Sequence, residues 1–452
     1  MQSRDTIAAI ATPPGAGGIG VIRVSGAAVP AMAEVLLGRP PQPRLAHYCR
    51  FRDACGEVLD QGLLLYFPAP RSFTGEDVLE LHAHGSPVLL ALLLQRCLAL
   101  GARAARPGEF SERAYLNDKL DLAQAEAIAD LIASGSAAAA RAAMRSLSGE
   151  FSARVHALEQ QLIELRVYIE AAIDFPEEEI DFLAVPELAE RFARCAATLD
   201  ALQSDAQRGQ RLCDGLHIVI LGAPNAGKSS LLNALAGTEA AIVAPIAGTT
   251  RDLLRERLQL DGLPLTVVDT AGLRVGGDVI EREGMRRASA EAHKADLVLW
   301  VCDDSLLAAD PNAATLPQDF AGLAALPRLI VHNKIDLSGA PAGRQQRSDG
   351  VHVYVSAQTG AGLEDLRREI KASAGIAEHG EGSFSARQRH LDALERTRLA
   401  LNGARHAALE EKAGELAAED LRAAHAALGE ITGEYLSDEL LGAIFSSFCI
   451  GK

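Results

Sequence analysis

The 452-residue sequence predicts a multidomain protein of the α/β plus α class, in which three kinds of sequence pattern alternate. Residues 1–117 mix short β-like runs with Gly and Pro, which is typical of a small α+β domain. Residues 118–213 and 376–452 are rich in Ala, Leu and Glu, so they indicate two halves of a discontinuous helical domain. Residues 214–375 combine apolar strand-like runs with a phosphate-binding loop, which predicts an inserted Ras-like P-loop domain.

Composition limits the classes of protein that remain. The net charge of −16 argues against a protein that grips nucleic acid over a wide basic face. The seven cysteines are scattered without a CxxC pair, which favours reduced thiols over disulfides or a zinc site. The start of the chain lacks an apolar signal core, and the apolar run 88–94 is too short to span a bilayer. We therefore expect a cytoplasmic protein without a membrane anchor.

The N-terminal part predicts strands at 6–11, 20–24, 62–67 and 78–82. Residues 15–20 satisfy the dinucleotide pattern GxGxxG, but that pattern must open a helix, and a strand-like run follows it here. A kinase glycine loop is also disfavoured, because no HRD or DFG signature follows.

His82 and His84 share one face of a predicted strand, so two metal ligands are conceivable there. No fixed cluster of carboxylates or cysteines accompanies them. The sequence therefore favours histidines with structural partners.

Two apolar stripes mark the helical domain. In the first half, the stripe recurs at steps of three and four residues: Phe151, Val155, Leu158, Leu162, Leu165 and Ile169. Near the chain end a second stripe is predicted: Leu440, Leu441, Ile444, Phe445 and Phe448. The acidic run 174–179 contains Pro176, so we expect it to break the first half as a solvated turn.

The inserted domain contains the parts of a guanine-nucleotide pocket in their usual order. The motifs are GAPNAGKS at 222–229, GTT at 248–250, DTAG at 269–272, NKID at 333–336 and SAQ at 356–358. The motifs place these residues at GTP: Asn225, Ala226, Gly227, Lys228, Ser229, Ser230, Gly248, Thr249, Thr250, Asp269, Thr270, Ala271, Gly272, Asn333, Lys334, Ile335, Asp336, Ser356, Ala357 and Gln358. The sequence therefore predicts a GTP-binding domain.

Each motif has a chemical reason. Backbone N–H groups at the start of the helix near Lys228 cradle the phosphates, and the Lys228 ammonium reaches the outer ones. Ser229 and Thr250 supply hydroxyl ligands to Mg²⁺, while Asp269 holds the ion through water. Asp336 accepts from the N1–H and amine of guanine, which adenine lacks. The acids Asp303 and Asp304 also follow a strand, but without the DTAG context, so Asp269 is the preferred magnesium-binding acid.

Two features predict an unusual hydrolytic mechanism. Leu273 stands where Ras-like proteins place the glutamine that orients water, and Pro224 obstructs an arginine finger from a partner. Glu281 offers another water-positioning group, and the Asn225 oxygen offers a site where a monovalent cation replaces the arginine's charge. Alternatively, Glu281 is solvated and Asn225 only shapes the turn.

Longer stretches resemble one family. They are ATPPGAGGIGVIR at 11–23, SFTGEDVLELHAHG at 72–85, RPGEFSERAYLNDKLDLAQAEAIADLI at 106–132, DFPEEEIDF from 174, and the terminal FSSFCIGK. With these stretches the chain resembles the MnmE (TrmE) family of tRNA-modifying GTPases along its whole length. The resemblance implies an N-terminal folate-binding and dimerisation domain before the split helical domain and the inserted GTPase.

The resemblance also implies a function. Such proteins form a heterotetramer with the flavoprotein MnmG and add a carboxymethylaminomethyl or aminomethyl group to C5 of the wobble uridine in certain tRNAs. The carbon comes from 5-formyltetrahydrofolate or a related one-carbon tetrahydrofolate, and FAD enters only through MnmG. K⁺-dependent GTP hydrolysis supplies a conformational step through dimerisation of the GTPase domains in a homodimer.

Individual residues acquire expected roles from the resemblance. Asn225, Ala244, Ile246 and Thr249 are expected to hold K⁺, and Glu281 is expected to orient the attacking water. The loop 242–250 closes over the nucleotide, which adds four GTP contacts: Ala244, Pro245, Ile246 and Ala247. Ala244 and Pro245 replace polar residues, but Ala244 acts through its carbonyl.

The folate contacts implied by the resemblance are Arg23, Glu80, Lys119 and Lys452, so the C-terminus should reach back to the N-terminal domain. Cys449 is expected to be a catalytic thiol near the modification site, with a buried structural cysteine as the alternative. The terminal CIGK does not fit a prenylation box.

A regulatory ribosome-assembly GTPase is the alternative function. That alternative predicts an RNA-binding module such as a KH fold after the GTPase. The acidic, alanine-rich helical pattern at the C-terminal end favours the tRNA-modification function instead.

Overall fold

The computed structural model describes most of the chain. The described residues are 5–174, 186–223, 225–237, 254–260, 263–269, 295–306, 326–373 and 383–451. They form two compact units, the first from 1–129, 147–192 and 396–452 and the second from 130–146 and 193–395. The predicted domain boundaries after 117, 213 and 375 stay predictions.

The N-terminal part folds as the predicted α+β domain. Its strands are β1 (Thr6–Ile10), β2 (Gly17–Ser25), β3 (His47–Arg52), β4 (Val58–Phe67), β5 (Val78–Gly85) and β6 (Ala102–Ala104). Its helices are α1 (Val29–Leu37), α2 (Pro87–Ala99) and α3 (Glu109–Leu116). The strands form a sheet in the order β3-β4-β5-β2-β1-β6, antiparallel except for the β1–β6 pair. Because β2 continues to Ser25, the GxGxxG segment enters a strand and opens no helix, as predicted.

The core of this domain lies between the sheet and helices α1 and α2. Its fully buried side chains include Ile22, Val24, Met32, Phe51, Leu64, Leu79, Leu81 and Leu93. Alternation along β2 and β5 places one face of each strand in this core, since successive strand residues point to opposite faces. The other face carries Arg23 and Glu80, which are register partners on neighbouring strands.

Helices dominate the sequence on both sides of the inserted domain. Before it come α4 (Leu122–Ala133), α5 (Ala137–Leu147), α6 (Glu150–Asp174) and α7 (Pro186–Asp214). All six residues of the first predicted stripe, which lies on α6, are at most 1% exposed, so that prediction is confirmed. Of the acidic run 174–179, the residues after Asp174 lie outside the described part.

The inserted domain is a doubly wound α/β fold. Its strands are β7 (Leu216–Gly222), β8 (Leu254–Leu260), β9 (Leu263–Asp269), β10 (Leu297–Asp303), β11 (Arg328–Asn333), β12 (Gly343–Arg347) and β13 (Gly350–Tyr354). Its described helices are α8 (Lys228–Ala236), α9 (Ile335–Ser338) and α10 (Leu363–Ser373). The sheet order is β12-β13-β11-β10-β7-β9-β8, parallel except at the two edge pairs. Parallel strands buried on both faces explain the continuous apolar runs of β7 and β10.

Three helices follow: α11 (Gln388–Leu409), α12 (Gly414–Thr432) and α13 (Asp438–Ser446). Phe445 and Phe448 of the second predicted stripe pack against Leu122. Leu440, however, is 43% exposed, so its assignment to the buried stripe was wrong. The reason is that the apolar cluster covers only one side of this nine-residue helix.

A buried ion network ties α3 to the first strands. Glu109 is 2% exposed and accepts hydrogen bonds from Arg103 Nη1 and the Arg106 backbone, both at 2.8 Å, and from Arg113 Nη2 at 3.2 Å. Burial by itself would raise the pKa of Glu109, but the Arg103 and Arg106 hydrogen bonds outweigh it and hold the pKa at about 2. Arg113 also bonds Asp5 and Glu76, so one network joins the chain start, a loop and a helix.

We predict that Glu109→Gln weakens this region by about 2–3 kcal/mol, because Arg103, Arg106 and Arg113 lose a buried anionic partner. Solvent screening at Arg103 and Arg106, which are partly exposed, limits the loss. Hydrogen exchange of the β1 and β6 amides measures the effect. Glu112→Gln is the control, since Glu112 pairs only at the surface with Arg106, and we expect a change within about 0.5 kcal/mol.

The same carboxylate predicts a pH dependence. Its folded-state pKa of about 2 lies below the ordinary 4.5, so the unfolded chain takes up the proton first. The stability from Glu109 is therefore present above pH 4.5 and is lost as the pH falls towards 2. Equal acid sensitivity of wild type and Glu109→Gln would contradict the assignment.

Candidate functional site

The phosphate-binding loop leaves β7 through a tight backbone contact. Gly222 has φ +150°, and a Cβ there would lie 2.0 Å from the Val301 carbonyl oxygen of β10. Asn225 and Gly227 then adopt left-handed conformations, with φ 62° and 88°. Such alternation turns successive N–H groups towards one concavity, which is the geometry that binds anions. The loop therefore forms before the start of α8 at Lys228, as the sequence predicted. Pro224 lies outside the described residues.

Lys228 folds back over this loop. Its Nζ donates to the Gly222 and Ala223 carbonyls at 2.8 and 2.9 Å, and the residue is only 7% exposed. The positive charge and the N-terminal end of α8 thus lie at the same place, where both favour phosphate. Ser229 and Ser230 follow on the first turn and are exposed.

Asn333 joins the phosphate loop to the base-recognition motifs. Its Nδ2 donates to the Ala226 carbonyl at 2.9 Å, and its Oδ1 accepts from the Ala357 N–H at 3.0 Å. The residue is 1% exposed, so these bonds form away from water. One side chain thereby fixes three segments that are far apart in sequence.

Asp336 is the carboxylate predicted to recognise guanine. It is exposed, and buried Ser356 donates through Oγ to Asp336 Oδ1 at 2.6 Å. Ser356 also accepts from the Thr359 N–H at 3.1 Å. Ser356 therefore orients the carboxylate from below, which is a role for the first residue of the SAQ motif. Gln358 is exposed beside it, and Ile335 is buried beneath the loop.

The two acids after β10 have partners other than a magnesium site. Asp303 Oδ2 accepts from Lys334 Nζ at 2.6 Å, and Asp303 Oδ1 accepts from Ser305. Partial burial raises the pKa of Asp303, but these Lys334 and Ser305 contacts outweigh it and hold the pKa below its ordinary value. Asp304 bonds His332 at 3.1 Å and Ser338. Both acids support the base-recognition loop, which agrees with preferring Asp269.

A buried histidine pair lies directly beneath that loop, and the sequence reasoning missed it. His332 Nε2 and His352 Nδ1 are 2.9 Å apart, and Asp304 and Asp349 bond the outer ring nitrogens. Both histidines are 1% exposed, and the His332 ring stacks on Tyr354. Burial lowers the pKa of His332, against the opposing effect of the Asp304 carboxylate. The sequence did contain one indication of this pair: His352 and Tyr354 are two residues apart on β13, so their side chains point to the same face of the sheet.

The N-terminal domain brings two predicted folate contacts together. Arg23 donates from Nε and Nη2 to Glu80 Oε1 at 3.0 and 2.8 Å. The guanidinium lies over the Phe73 and Phe110 rings, 5.4 and 6.0 Å from their centroids. Arg23 and Glu80 are thus paired with each other on the face of the sheet opposite α1 and α2, with aromatic surface beside them. Lys119 has a different partner: its Nζ donates to the Pro70 carbonyl at 3.2 Å.

The chain end reaches this pair. Arg23 Nη1 donates to the Gly451 carbonyl at 3.4 Å, and the Gly108 N–H donates to the Cys449 carbonyl at 3.3 Å. A Cβ at Gly451 would lie 2.5 Å from the Ile10 carbonyl oxygen, so the contact is close. Cys449 is exposed, and the alternative of a buried structural cysteine was wrong, because the chain has left the apolar cluster after Phe448.

The two histidines of β5, His82 and His84, contact different carboxylates. His82 Nε2 lies 3.3 Å from Glu80 Oε2, and His84 Nδ1 lies 2.8 Å from Asp60 Oδ1. Within the described residues neither belongs to a converging group of metal ligands. These partners agree with the structural role favoured by the sequence.

Several predicted site residues lie outside the described part of the chain. They are Ala244, Pro245, Ile246, Ala247, Gly248, Thr249, Thr250, Thr270, Ala271, Gly272, Leu273, Glu281 and Lys452. For Asp269 only the backbone, at the end of β9, is described. Their predicted roles stay predictions.

Two family models match this chain. A family model described as the MnmE helical domain matches residues 122–449. A second, described as the GTP-binding protein TrmE N-terminus, matches residues 6–119.

Two curated relatives align over essentially the whole chain. A protein from Methylococcus capsulatus called tRNA modification GTPase MnmE is 56% identical over 450 residues, covering 99% of each chain. One of the same name from Yersinia pestis is 54% identical over 454 residues and covers 100% of each.

Solved structures align with a smaller part. Aquifex aeolicus Era bound to GDP and AlF4⁻ is 25% identical over 41% of this chain and 66% of its own, with a TM-score of 0.27. The G domain of the T. maritima FeoB iron transporter is 23% identical over 35% of this chain and 98% of its own, with a TM-score of 0.26. Because these TM-scores are low, the fold assignment depends on the sheet order and the loop geometry described above.

No helix in the described part of the chain is both long and apolar enough to cross a bilayer.

We predict that Gly227→Ala weakens GDP binding at least about tenfold. Alanine is strained by about 1–2 kcal/mol at φ 88°, and its Cβ would lie 2.3 Å from Asn333 Nδ2, which must then leave the loop. Titration with a fluorescent GDP analogue measures the affinity. Gly56→Ala is the control, because it has φ 90° with nothing within 4 Å and lies in a hairpin of the N-terminal domain. Unchanged GDP affinity in Gly227→Ala would contradict the role given to this contact.

Proposed function

The chain belongs to the MnmE family of tRNA modification GTPases, and we propose that it hydrolyses GTP to drive C5 modification of the wobble uridine in certain tRNAs. The observation that carries the GTP-hydrolysing part of the proposal is the Asn333 bridge between the phosphate loop and the base-recognition motifs, and membership of the family supports the tRNA part. The two relatives of that name align without large gaps. We propose a cytoplasmic homodimer that forms a heterotetramer with the flavoprotein MnmG, which brings the FAD.

The phosphate side of the pocket derives its chemistry from α8. The Lys228 ammonium and the N–H groups at the helix start hold the phosphate oxygens and balance charge that develops during hydrolysis. Ser229 is exposed one residue after Lys228, where its hydroxyl fits a Mg²⁺ ligand together with Thr250. Mg²⁺ would neutralise phosphate charge there.

The base side gives selectivity for guanine. Asp336 is exposed and held by Ser356, so its carboxylate accepts hydrogen bonds from a nucleobase with adjacent N–H donors. Lys334 Nζ is held by Asp303 Oδ2 at 2.6 Å, and we propose that the alkyl part of its side chain lies against the base. An adenine presents an acceptor at the position of the guanine N1–H, which leaves the Asp336 carboxylate without its hydrogen-bond donor.

We propose that a K⁺ ion supplies the positive charge that other GTPases take from an arginine. Asn225 is exposed on the loop in a left-handed conformation, and its neutral amide oxygen fits such a cation. Ala244 and Ile246 carbonyls and Thr249 complete the proposed donor set. Glu281 orients the attacking water, replacing the glutamine that Leu273 displaces.

The N-terminal domain is proposed to bind a one-carbon tetrahydrofolate such as 5-formyltetrahydrofolate. Glu80 offers an acceptor for the donor edge of the pterin, and Arg23, which is bonded to it, holds that carboxylate in place. Phe73 and Phe110 lie beside the pair and provide apolar surface for a ring. Lys119, the C-terminal Lys452 and the exposed thiol of Cys449 complete the proposed site.

The assembly-factor alternative finds no support in the C-terminal part. It predicted a KH-type module, whereas the described residues 383–451 form helices α11 to α13 and no strand. Folate binding tests the remaining difference, because an assembly factor does not need it.

We predict that GTP turnover is at least about tenfold faster in KCl than in NaCl at equal ionic strength, because K⁺ stabilises the transition-state charge. Glu281→Ala should lose the stimulated rate. Glu364→Ala, an exposed acid on α10, is the control and should keep it. Equal wild-type rates in the two salts would refute the potassium site, and stimulation that survives in Glu281→Ala would refute the role of Glu281.

We also predict that Glu80→Gln weakens binding of 5-formyltetrahydrofolate about tenfold or more, because a charge-assisted hydrogen bond is lost. Calorimetric titration of the full chain measures the affinity. Asp60→Asn removes a neighbouring carboxylate that pairs with His84, and it should leave the affinity unchanged. Equal losses in the two variants would assign the effect to the sheet and not to a folate contact.

A further inference from the structure

We propose that His156, Glu159 and Glu434 bind one divalent transition-metal ion, best matched by Zn²⁺, which links the two sequence halves of the helical domain. One ligand atom from each residue lies within 4.8 Å of the others. This is the single such group found in the part of the chain that the structure describes. It shares no residue with the nucleotide loop or with the Arg23–Glu80 pair.

The first two ligands come from one face of α6. His156 and Glu159 are three residues apart, a spacing that brings side chains together on a helix. Their ring and carboxylate already meet, with His156 Nδ1 2.8 Å from Glu159 Oε2. A metal ion bound between these atoms takes the place of the proton in this hydrogen bond, and the neutral imidazole then carries its one proton on Nε2.

The end of α12 fixes the backbone of the third ligand. Gly433 caps the helix at φ 100°, and the N–H groups of Gly433 and Glu434 donate to the Gly429 carbonyl at 3.0 and 2.9 Å. Tyr115 Oη donates to the Gly433 carbonyl at 2.7 Å. A side chain at Gly433 would collide with Tyr115, 2.5 Å away. The turn that carries Glu434 is therefore held from two directions against the neighbouring elements.

Glu159 is the buried anchor of the site. It is 6% exposed, and within the described residues its Oε1 accepts no hydrogen bond. A buried carboxylate oxygen without a donor is unfavourable, and a nearby cation compensates it. Gly429 lies beside this group and makes room for the Tyr435 ring, since a Cβ there would lie 2.6 Å from the ring and at an ordinary 3.6 Å from Glu159 Oε1.

The chemistry of the three donors selects the ion. Imidazole nitrogen together with carboxylate oxygen suits zinc, whereas Mg²⁺ prefers oxygen ligands and near-octahedral geometry. Zinc bonds of about 2.0–2.2 Å place two ligand atoms about 3.5 Å apart. The ligand atoms lie within 4.8 Å of one another, and His156 and Glu434 are both exposed, so their side chains are free to turn towards an ion at the buried Glu159. Three protein ligands leave a further position for water.

The test is Zn²⁺ binding to the full chain after metal removal, measured in competition with a chromophoric chelator. The wild-type chain should bind one more equivalent of Zn²⁺ than His156→Ala or Glu434→Gln. If the variants still bind that equivalent, their Zn²⁺ affinity should be at least about 100-fold lower. Co²⁺ added in place of Zn²⁺ should give a visible absorption band that both variants lose.

The matched control is His406→Ala. His406 also lies beside two acids, with Nδ1 2.9 Å from Glu410 and Nε2 3.4 Å from Glu411, but those contacts use different ring nitrogens on an exposed helix end. The His406→Ala variant should bind Zn²⁺ with the same stoichiometry and affinity as the wild type. The surface variant Glu434→Gln avoids the buried anchor, so unfolding does not obscure its result.

Unchanged stoichiometry and affinity in Glu434→Gln would overturn the site, as would an equal loss in His406→Ala. Neither measurement uses GTP, folate or tRNA, so a negative result for the metal site would leave the proposed function unaffected, and the reverse also holds.

Discussion

The nucleotide pocket depends on the parallel register of β7, β10 and β11. This register pairs Gly222 with Val301 and Asp303 with Asn333, so the ends of three strands from distant parts of the sequence meet at one edge. Ligands bind at this carboxyl edge in open α/β sheets. The absence of a side chain at Gly222 permits the close approach, and the Asn333 amide then spans from Ala226 to Ala357. Without this register, the motifs are separate segments and no pocket forms.

Support for the pocket extends below the loops through charged and aromatic side chains. Asp303 fixes Lys334, and Asp304 connects the same loop to the buried His332. His332 in turn meets His352, two residues before Tyr354 on the next strand. The base-recognition loop is thus supported by a polar network inside the sheet, and a change of charge in that network would alter the hydrogen bonds that hold the loop. Such networks are costly when partly satisfied, which ties the loop to its neighbours.

The N-terminal unit has its own closing contact, made by the two ends of the chain. Arg23 on β2 bonds both Glu80 and the Gly451 carbonyl, and Gly451 approaches Ile10 too closely for any side chain. The proposed metal ligands act at a second point, since α6 precedes the inserted domain and Glu434 follows it. A domain divided in sequence by an insertion needs such contacts, because no short loop joins its halves.

The sequence by itself determined the class of the fold and the type of nucleotide. Periodicity placed the buried stripe of α6, and the motif spacing placed the start of α8 at Lys228, because local pattern and loop chemistry are read from neighbouring residues. Tertiary structure decided what depends on distant partners. It exposed Leu440 and Cys449, paired Arg23 with Glu80, assigned Asp303 and Asp304 to Lys334 and His332, and brought Glu434 to α6. The physical reason is that burial and pairing follow from strand order and helix packing, which link residues tens to hundreds of positions apart.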